Sequence, residues 1–142
     1  MFQIAMSLCL KSVLLLCMFT LVWAEHVNVY ITNNLEGNED LKVHCKSKDN
    51  DLGDHLLHIN QTYTWGFETN FFGGLFGGTL FFCSFQWGNG RLLYIDAYNQ
   101  AKDFNICLEC HWYIHKNRPC RIEVVPPPAP RGTHTLKCYD WK

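Results

Sequence analysis

The chain has 142 residues, with 12 basic and 13 acidic side chains that give a formal net charge of −1. That length suits one ordinary domain, and a nearly neutral chain has no general electrostatic attraction for nucleic acid or for an anionic membrane surface. The composition therefore makes no electrostatic case for binding either of these partners.

The first residues have the pattern of a secretory signal peptide. Lys11 and Ser12 precede the apolar run VLLLCMFTLVW, and the small residue Ala24 follows it. The run is shorter than the ~20 apolar residues of a membrane-spanning helix, so we predict a signal peptide over residues 1–24, cleavage after Ala24, and secretion without stable membrane insertion. Cleavage removes only Lys11 among the charged residues and leaves a net charge of −2.

Six cysteines remain beyond the signal segment. An even number in a small exported chain predicts three disulfides, because the secretory pathway is oxidising. Spacing alone does not choose among the possible connectivities. The six are Cys45, Cys83, Cys107, Cys110, Cys120 and Cys138.

Alternation of apolar and polar residues predicts β-strands along most of the remaining chain. In DLKVHC, for example, Leu41, Val43 and Cys45 share one face, and Lys42 and His44 take the other. Turn-forming residues separate the runs, and no stretch has a helical period. We therefore predict an all-β fold, an antiparallel β-sandwich of seven to eight short strands stapled by disulfides. The runs are 26–33, 40–45, 62–68, 79–87, 91–98, 110–115 and 120–125.

The phase of the strands places four cysteines with the core residues. Cys45, Cys83, Cys110 and Cys120 alternate in step with apolar neighbours, a pattern that predicts disulfides bridging two sheets through the core. The prolines from Pro126 to Pro130 lack the N–H groups that a sheet needs, so the domain is predicted to end at 125. Residues 126–142 then form a proline-rich extension.

Several groups of residues have types that could carry chemistry. In HCKSKDNDLGDH, residues 44–55, Asp49 begins a weak match to a calcium loop, but position six is Asp54 where the EF-hand needs glycine. The CxxC at 107–110 has no second CxxC at zinc-ribbon spacing. No GxSxG nucleophile motif is present. We predict no catalytic residues, no metal ligands and no cofactor, while a hydrolase or nuclease that uses surface histidines stays as an alternative.

Two further motifs belong to the surface. Asn60-Gln61-Thr62 is a sequon, so Asn60 is a predicted N-glycosylation site in a secreted chain. FFGGLFGGTLFF, residues 71–82, is interpreted as a glycine-rich turn that opens a strand. A membrane-active defensive or cytotoxic segment is the alternative interpretation of those phenylalanines.

Five stretches of the chain together carry a family pattern: VNVYITNNL, LKVHCKSKDNDLGDH, YTWGFETNFFGG, TLFFCSFQW and CLECHW. They resemble the plant self-incompatibility S1 family, also called S-protein homologues, and the resemblance covers roughly residues 26–125. It implies a small secreted β-sandwich with no known enzymatic activity. Some members of that family are pistil ligands recognised by a pollen partner.

The resemblance also suggests a disulfide pattern. The four cysteines shared with the family lead us to expect the pairs Cys45–Cys110 and Cys83–Cys107. The chain departs from the family at Pro119-Cys120 and in the extension that carries Cys138, and those two departures together predict a third bridge, Cys120–Cys138.

The sequence thus predicts a secreted, extracellular, non-catalytic recognition or signalling ligand. Its partner would be a cell-surface receptor or another extracellular protein, and not nucleic acid. The expected contact surfaces are loops, because polar residues cluster there without a convergent acid–base set. These loops are 33–39, 46–54, 72–78 and 98–106.

Overall fold

The computed structural model describes residues 1–21, 24–70 and 77–142. Two helices and nine strands lie within these ranges. They are α1 (Phe2–Leu21), β1 (Ala24–Asn33), β2 (Leu41–Lys46), β3 (Asp51–Leu57), β4 (Thr62–Asn70), β5 (Leu80–Gln86), β6 (Leu93–Asn99), α2 (Gln100–Asp103), β7 (Glu109–Ile114), β8 (Pro119–Val124) and β9 (His134–Cys138).

The N-terminal helix α1 covers the predicted signal segment and is exposed over residues 1–18. Among the residues described, no helix has the length and hydropathy needed to cross a bilayer. Strand β1 begins at Ala24, directly after residues 22 and 23, which the structure does not describe. Cleavage after Ala24 stays a prediction.

The strands form two sheets, as the sequence predicted. One has five strands in the order β4-β1-β7-β8-β9, and the other has four in the order β3-β2-β5-β6. Neighbouring strands are antiparallel except β1 and β7, which run parallel. Parallel neighbours need a long crossover connection, and here the chain passes through the other sheet between them. The alternation of apolar and polar residues along a single strand does not show that β1 and β7 are parallel.

The core lies between the inner faces of the two sheets. Strand β1 contributes Val27, Val29 and Ile31, which are fully buried, and the opposite sheet contributes residues such as Val43 and Phe85. Aromatic side chains of β4 close one side, with Phe67 and Phe81 in contact at 4.7 Å between ring centroids. Burial of these large rings supplies much of the driving force for so small a domain.

Strand β8 has the opposite phase to the one that its sequence suggests. Arg121 lies directly across from the buried Trp112 and faces inward with Glu123, whereas Cys120 shares the outer side with Tyr113. Arg121 is tolerated there because it donates to Asp103 and Glu123 and lies over the Trp112 ring at 5.0 Å. A buried charge needs such partners.

Two strands lie where the sequence predicted loop or extension. Strand β3 pairs with β2, so Asp51 and Asp54 are strand residues and only Asp49 lies in the turn. Strand β9 pairs with β8 along its whole length, although the prolines were expected to end the sheet. The prolines themselves stay outside the strands, and the chain turns back after them to form a hairpin.

The C-terminal residues after β9 pack on the body of the sandwich. Tyr139 contacts Trp112 at 5.5 Å and Trp141 contacts Phe85 at 5.6 Å between ring centroids. The backbone N–H of Tyr139 donates to the carbonyl of Pro119. The predicted domain boundary at residue 125 therefore falls between β8 and β9, which are neighbours in one sheet.

All six cysteines beyond α1 are bonded, but two of the expected pairs are wrong. The structure has Cys45–Cys83 and Cys107–Cys110 in place of Cys45–Cys110 and Cys83–Cys107. Cys45 and Cys83 face each other on the neighbouring strands β2 and β5 with their Cα atoms 4.0 Å apart. A partner directly opposite in the same sheet is closer than any residue across the core.

The third bridge joins Cys120 to Cys138, the pairing expected from the sequence. These two residues are also directly opposite, on β8 and β9. Each long-range bridge thus lies within one sheet, and the described disulfides do not connect the two sheets through the core. Side-chain packing joins the sheets at the centre, together with the hydrogen bond that Trp112 Nε1 on β7 donates to the Ala97 carbonyl on β6 at 2.9 Å.

Candidate recognition surface

A connected group of polar side chains covers the outer face of β4, β1 and β7. These three strands contain no lysine or arginine. Alternation turns their apolar residues to the core, so every second residue is presented to solvent. We call the group the polar face; it consists of His26, Asn28, Tyr30, Glu68, Glu109 and His111.

Hydrogen bonds hold the carboxylate of Glu109 at the centre of the polar face. Asn28 Nδ2 donates to Glu109 Oε1 at 2.9 Å, and the Tyr30 hydroxyl donates to Oε2 at 2.7 Å. The His111 ring stacks on Tyr30 with centroids 4.2 Å apart and planes within 5°. The parallel pairing of β1 and β7 places these residues side by side.

The same network of hydrogen bonds determines the protonation state of His26. Because the Glu109 carboxylate only accepts, Asn28 must present its NH₂ group there and its carbonyl oxygen to His26 Nε2, 3.1 Å away. His26 Nδ1 faces the Glu68 carboxylate at 2.6 Å. Both ring nitrogens of His26 therefore donate hydrogen bonds, which requires the protonated imidazolium form.

The pKa values of the polar face follow from these contacts. The hydrogen bond to Glu68 is the main reason that the pKa of His26 is raised from its ordinary value of 6.5. Hydrogen bonds from Asn28 and then Tyr30 lower the pKa of Glu109. The bond to Glu109 in turn raises the pKa of Tyr30. The face thus keeps Glu109 ionised and favours a charged His26.

We expect an NMR titration of the His26 ring to give a midpoint above 6.5, and the midpoint to fall in E68Q, which removes the strongest of its stabilising contacts. The sign follows from linkage: a raised folded-state pKa stabilises the fold below 6.5, and that contribution is lost as pH rises through the folded pKa. E109Q is the matched control, because the Glu109 charge is the weakest influence on His26 and a glutamine oxygen still accepts from Asn28. Equal shifts in E68Q and E109Q would contradict this account.

Gly66 leaves room for the network. A Cβ atom at this position would lie 2.7 Å from both Asn28 Oδ1 and His26 Nε2. Real Cβ atoms do not approach polar atoms so closely. A glycine opposite Asn28 on β4 thus allows the His26–Asn28 hydrogen bond to lie flat on the sheet.

The stretch HCKSKDNDLGDH forms a second polar group, on the outer face of the other sheet. His44 bridges two carboxylates, with Nε2 2.6 Å from Asp51 and Nδ1 2.9 Å from Asp54. The backbone N–H of Gly53 is the main cause of a lowered pKa at Asp51, and His44 adds to it. Gly53 has a φ of 75°, a left-handed conformation that favours glycine. The stretch ties β2 to β3.

Three further histidines also have separate partners. His58 lies 2.7 Å from Asp40 and His115 lies 3.4 Å from Glu36, while His55 stacks on Tyr63. Within residues 1–21, 24–70 and 77–142, no three His, Cys, Asp or Glu side chains are grouped closely enough to hold a metal ion. His44 and His55 line one depression, where their ring nitrogens contact carboxylates and a backbone carbonyl rather than each other.

The predicted contact loops differ in how they are held. Loop 33–39 is fixed by the buried Asn33, whose Nδ2 donates to the carbonyls of Glu39 and Leu57. Range 46–54 contains the start of β3, and range 98–106 contains α2. Most of the range 72–78, with the phenylalanine-rich turn, lies outside the described residues. Asn60 is exposed in the turn between β3 and β4.

The sequence shows several outward residues but does not show the polar face as a unit. Alternation along β1 and β7 turns Asn28, Tyr30 and His111 away from the apolar residues of those strands, and the structure places all three on the outer face. Their assembly depends on β1 lying between β4 and β7, which no local pattern reveals. A usable signal was the absence of basic residues from the three strands that carry Glu68 and Glu109.

Comparison with known proteins identifies the family of this chain. A family model described as plant self-incompatibility protein S1 matches residues 28–141. The chain belongs to the plant self-incompatibility protein S1 family. The match extends beyond the predicted limit at 125 and includes β9, which agrees with the pairing of β9 in the sheet.

Relatives within the S1 family cover most of the chain. S-protein homolog 5 of Arabidopsis thaliana is 38% identical over 114 residues, which are 80% of this chain and 77% of that protein. S-protein homolog 20 of the same plant is 38% identical over 117 residues, 81% of this chain and 76% of the relative. Both matches are long enough to cover the body of the sandwich.

A solved structure of self-incompatibility protein homologues, described as a widespread family of small, highly stable, secreted proteins from plants, has the same fold. It superposes with a TM-score of 0.53 at 19% identity, over 81% of this chain and 96% of that chain. At that identity the likeness establishes the S1-type fold alone.

Proposed function

We propose that the protein is a secreted, non-catalytic recognition ligand that binds an extracellular partner through the polar face. The observation that carries the proposal is the network around Glu109, which holds exposed side chains of three strands in fixed positions. Fixed polar and aromatic groups suit specific binding, because little side-chain entropy is lost on contact. The partner would be a receptor or another protein at the cell surface.

The hydrogen bonding favours binding over catalysis. A histidine that serves as a general base needs an unprotonated ring nitrogen aimed at the substrate. His26 donates from both nitrogens, and His44 directs both of its nitrogens at carboxylates. These side chains are engaged by the protein itself, and we propose that they organise a surface.

Secretion supports a role outside the cell. The first residues have the pattern of a signal peptide, and all six cysteines beyond α1 are bonded, as suits an oxidising compartment. Membership of the self-incompatibility family makes signalling between cells, such as pollen and pistil, the setting that we propose.

The test is saturable binding of the labelled, secreted protein to the surface of tissues from its source plant. We expect Tyr30→Ala, which removes a donor to Glu109 and the partner of His111, to weaken binding at least tenfold. Tyr94→Ala is the matched control, because Tyr94 is an exposed tyrosine on the outer face of the other sheet. Absence of saturable binding to every tissue, or equal loss in both variants, would overturn the proposal.

We also propose that Asn60 carries an N-linked glycan. Its φ of 63° places it in a left-handed turn, and its side chain is exposed. An endoglycosidase should lower the mass of the secreted protein by one glycan, and Asn60→Gly should lose that glycan while keeping the turn conformation. An unchanged mass after enzyme treatment would show an unoccupied sequon.

A further inference from the structure

Strand β9 is an open edge of the five-stranded sheet. It pairs with β8 on one side, and all five of its residues are exposed. Exposed edges readily pair with another strand, and proteins usually protect them with charges, prolines or bulges. Strand β9 contains no proline, and its described pairing with β8 has no bulge. Its one lysine, Lys137, is engaged beside Glu123 on the inner side.

The register determines which backbone groups of β9 are free. Opposing residues of antiparallel strands alternate between hydrogen-bonded pairs and closer, non-bonded pairs. Cys120 and Cys138 have Cα atoms 3.9 Å apart and so form a non-bonded pair. Residues 135 and 137 therefore direct their N–H and C=O groups at β8. His134, Leu136 and Cys138 direct theirs away from the sheet.

The side chains of β9 suit pairing with an identical strand. Leu136 is 58% exposed on the outer face, beside a mostly apolar depression of about 440 Å³ whose lining includes Tyr113 and Ile122. Lys137 points to the other side, where it lies 3.7 Å from Glu123 and over the Tyr139 ring. The free edge is thus apolar at its centre.

We propose that β9 is a self-association surface, on which a second copy of this chain adds its own β9 in antiparallel orientation about a twofold axis at Leu136. His134 of each copy then pairs with Cys138 of the other, and the two Leu136 residues face each other. The free groups of three residues on each strand make six backbone hydrogen bonds. Lys137 lies opposite Thr135, so no like charges meet.

The two edges of the four-stranded sheet fit a second copy less well. Strand β3 presents Asp51 and Asp54, whose charges would repel a matching strand. The edge strand β6 already accepts a hydrogen bond at the Tyr94 carbonyl from the Lys142 N–H. The contact at β9 involves one short strand from each copy and is smaller than a standard interface, so we expect a weak dimer that forms with rising concentration.

Sedimentation velocity of the secreted protein from micromolar to millimolar concentration tests the proposal. We expect a reversible monomer–dimer equilibrium and at least a tenfold weaker association in Leu136→Lys, which sets two ammonium groups opposite each other. Leu56→Lys is the matched control, because Leu56 is 53% exposed on the edge strand of the other sheet. A wild type that stays monomeric throughout, or equal effects of the two lysines, would overturn the proposal.

A cysteine variant tests the geometry itself. Leu136→Cys should form a disulfide-linked dimer under mild oxidation, because paired strands bring the two Cα atoms within disulfide reach. Leu56→Cys should remain monomeric. Thermal unfolding of each variant checks that its fold is intact. Cross-linking through position 56 but not 136 would assign the dimer to another edge and contradict the proposal.

Discussion

Replacing Arg121 with methionine should lower the free energy of unfolding by about 3 to 5 kcal/mol, because it leaves two buried carboxylates without their cation. The side chains of Arg121, Asp103 and Glu123 are 4%, 8% and 7% exposed. Arg121 Nη2 lies 2.9 Å from Asp103 and 2.6 Å from Glu123. Urea unfolding of the secreted variant and wild type measures the difference.

The pKa of Arg121 reflects the competition between burial and its two carboxylate partners. Burial alone lowers it, but the hydrogen bonds and charges of Asp103 and then Glu123 outweigh burial and raise it. The cation is thus stabilised where it lies, and the cost of its removal falls on the carboxylates. The Tyr139 hydroxyl also donates to Glu123, so the variant should loosen the C-terminal residues that pack beside the cluster.

Lys137→Met is the matched control for Arg121. Lys137 also lies beside Glu123, but its side chain is 58% exposed and its nitrogen is 3.7 Å away. Exposed ion pairs contribute about 0 to 1 kcal/mol, so we expect little change. Combining Arg121→Met with Asp103→Asn and Glu123→Gln should recover part of the stability. Equal losses in the arginine and lysine variants would contradict the account.

The prediction of the fold from sequence was accurate where side-chain alternation decides burial. In β1 and β2, apolar residues such as Val29 and Val43 alternate with polar ones, and the structure buries the apolar set. Strand β8 shows the limit of that reasoning. Its inward residues include Arg121, which is compensated by Asp103 from α2, and such tertiary partners are invisible in a local pattern.

The candidate surface was predictable in its parts but not as a whole. The sequence shows that Asn28 and Tyr30 face away from the core. It does not show that β7 runs parallel beside β1, which brings Glu109 within hydrogen-bonding distance of both. The Cys45–Cys83 bridge was missed for the same reason, because it depends on β2 and β5 being neighbours.

The three disulfides should differ in their contribution to stability according to the length of chain that each closes. The bridges join cysteines 38, 18 and 3 residues apart for Cys45–Cys83, Cys120–Cys138 and Cys107–Cys110. Loop-closure entropy then gives about 4, about 3 and about 1.5 kcal/mol respectively. Unfolding in urea of the three double Cys→Ala variants measures these contributions. A larger loss from the 107/110 variant than from 45/83 would contradict the entropic order.

The single variant Cys83→Ala separates the observed pairing from the one expected at first. In the structure it frees the thiol of Cys45, whereas the pair Cys83–Cys107 would free Cys107. Alkylation of the free thiol in the unfolded but unreduced protein, followed by peptide mass mapping, identifies which cysteine reacts. We expect the label on Cys45, because β2 and β5 hold these residues directly opposite each other. A label on Cys107 would contradict the Cys45–Cys83 bridge and support the pair Cys83–Cys107.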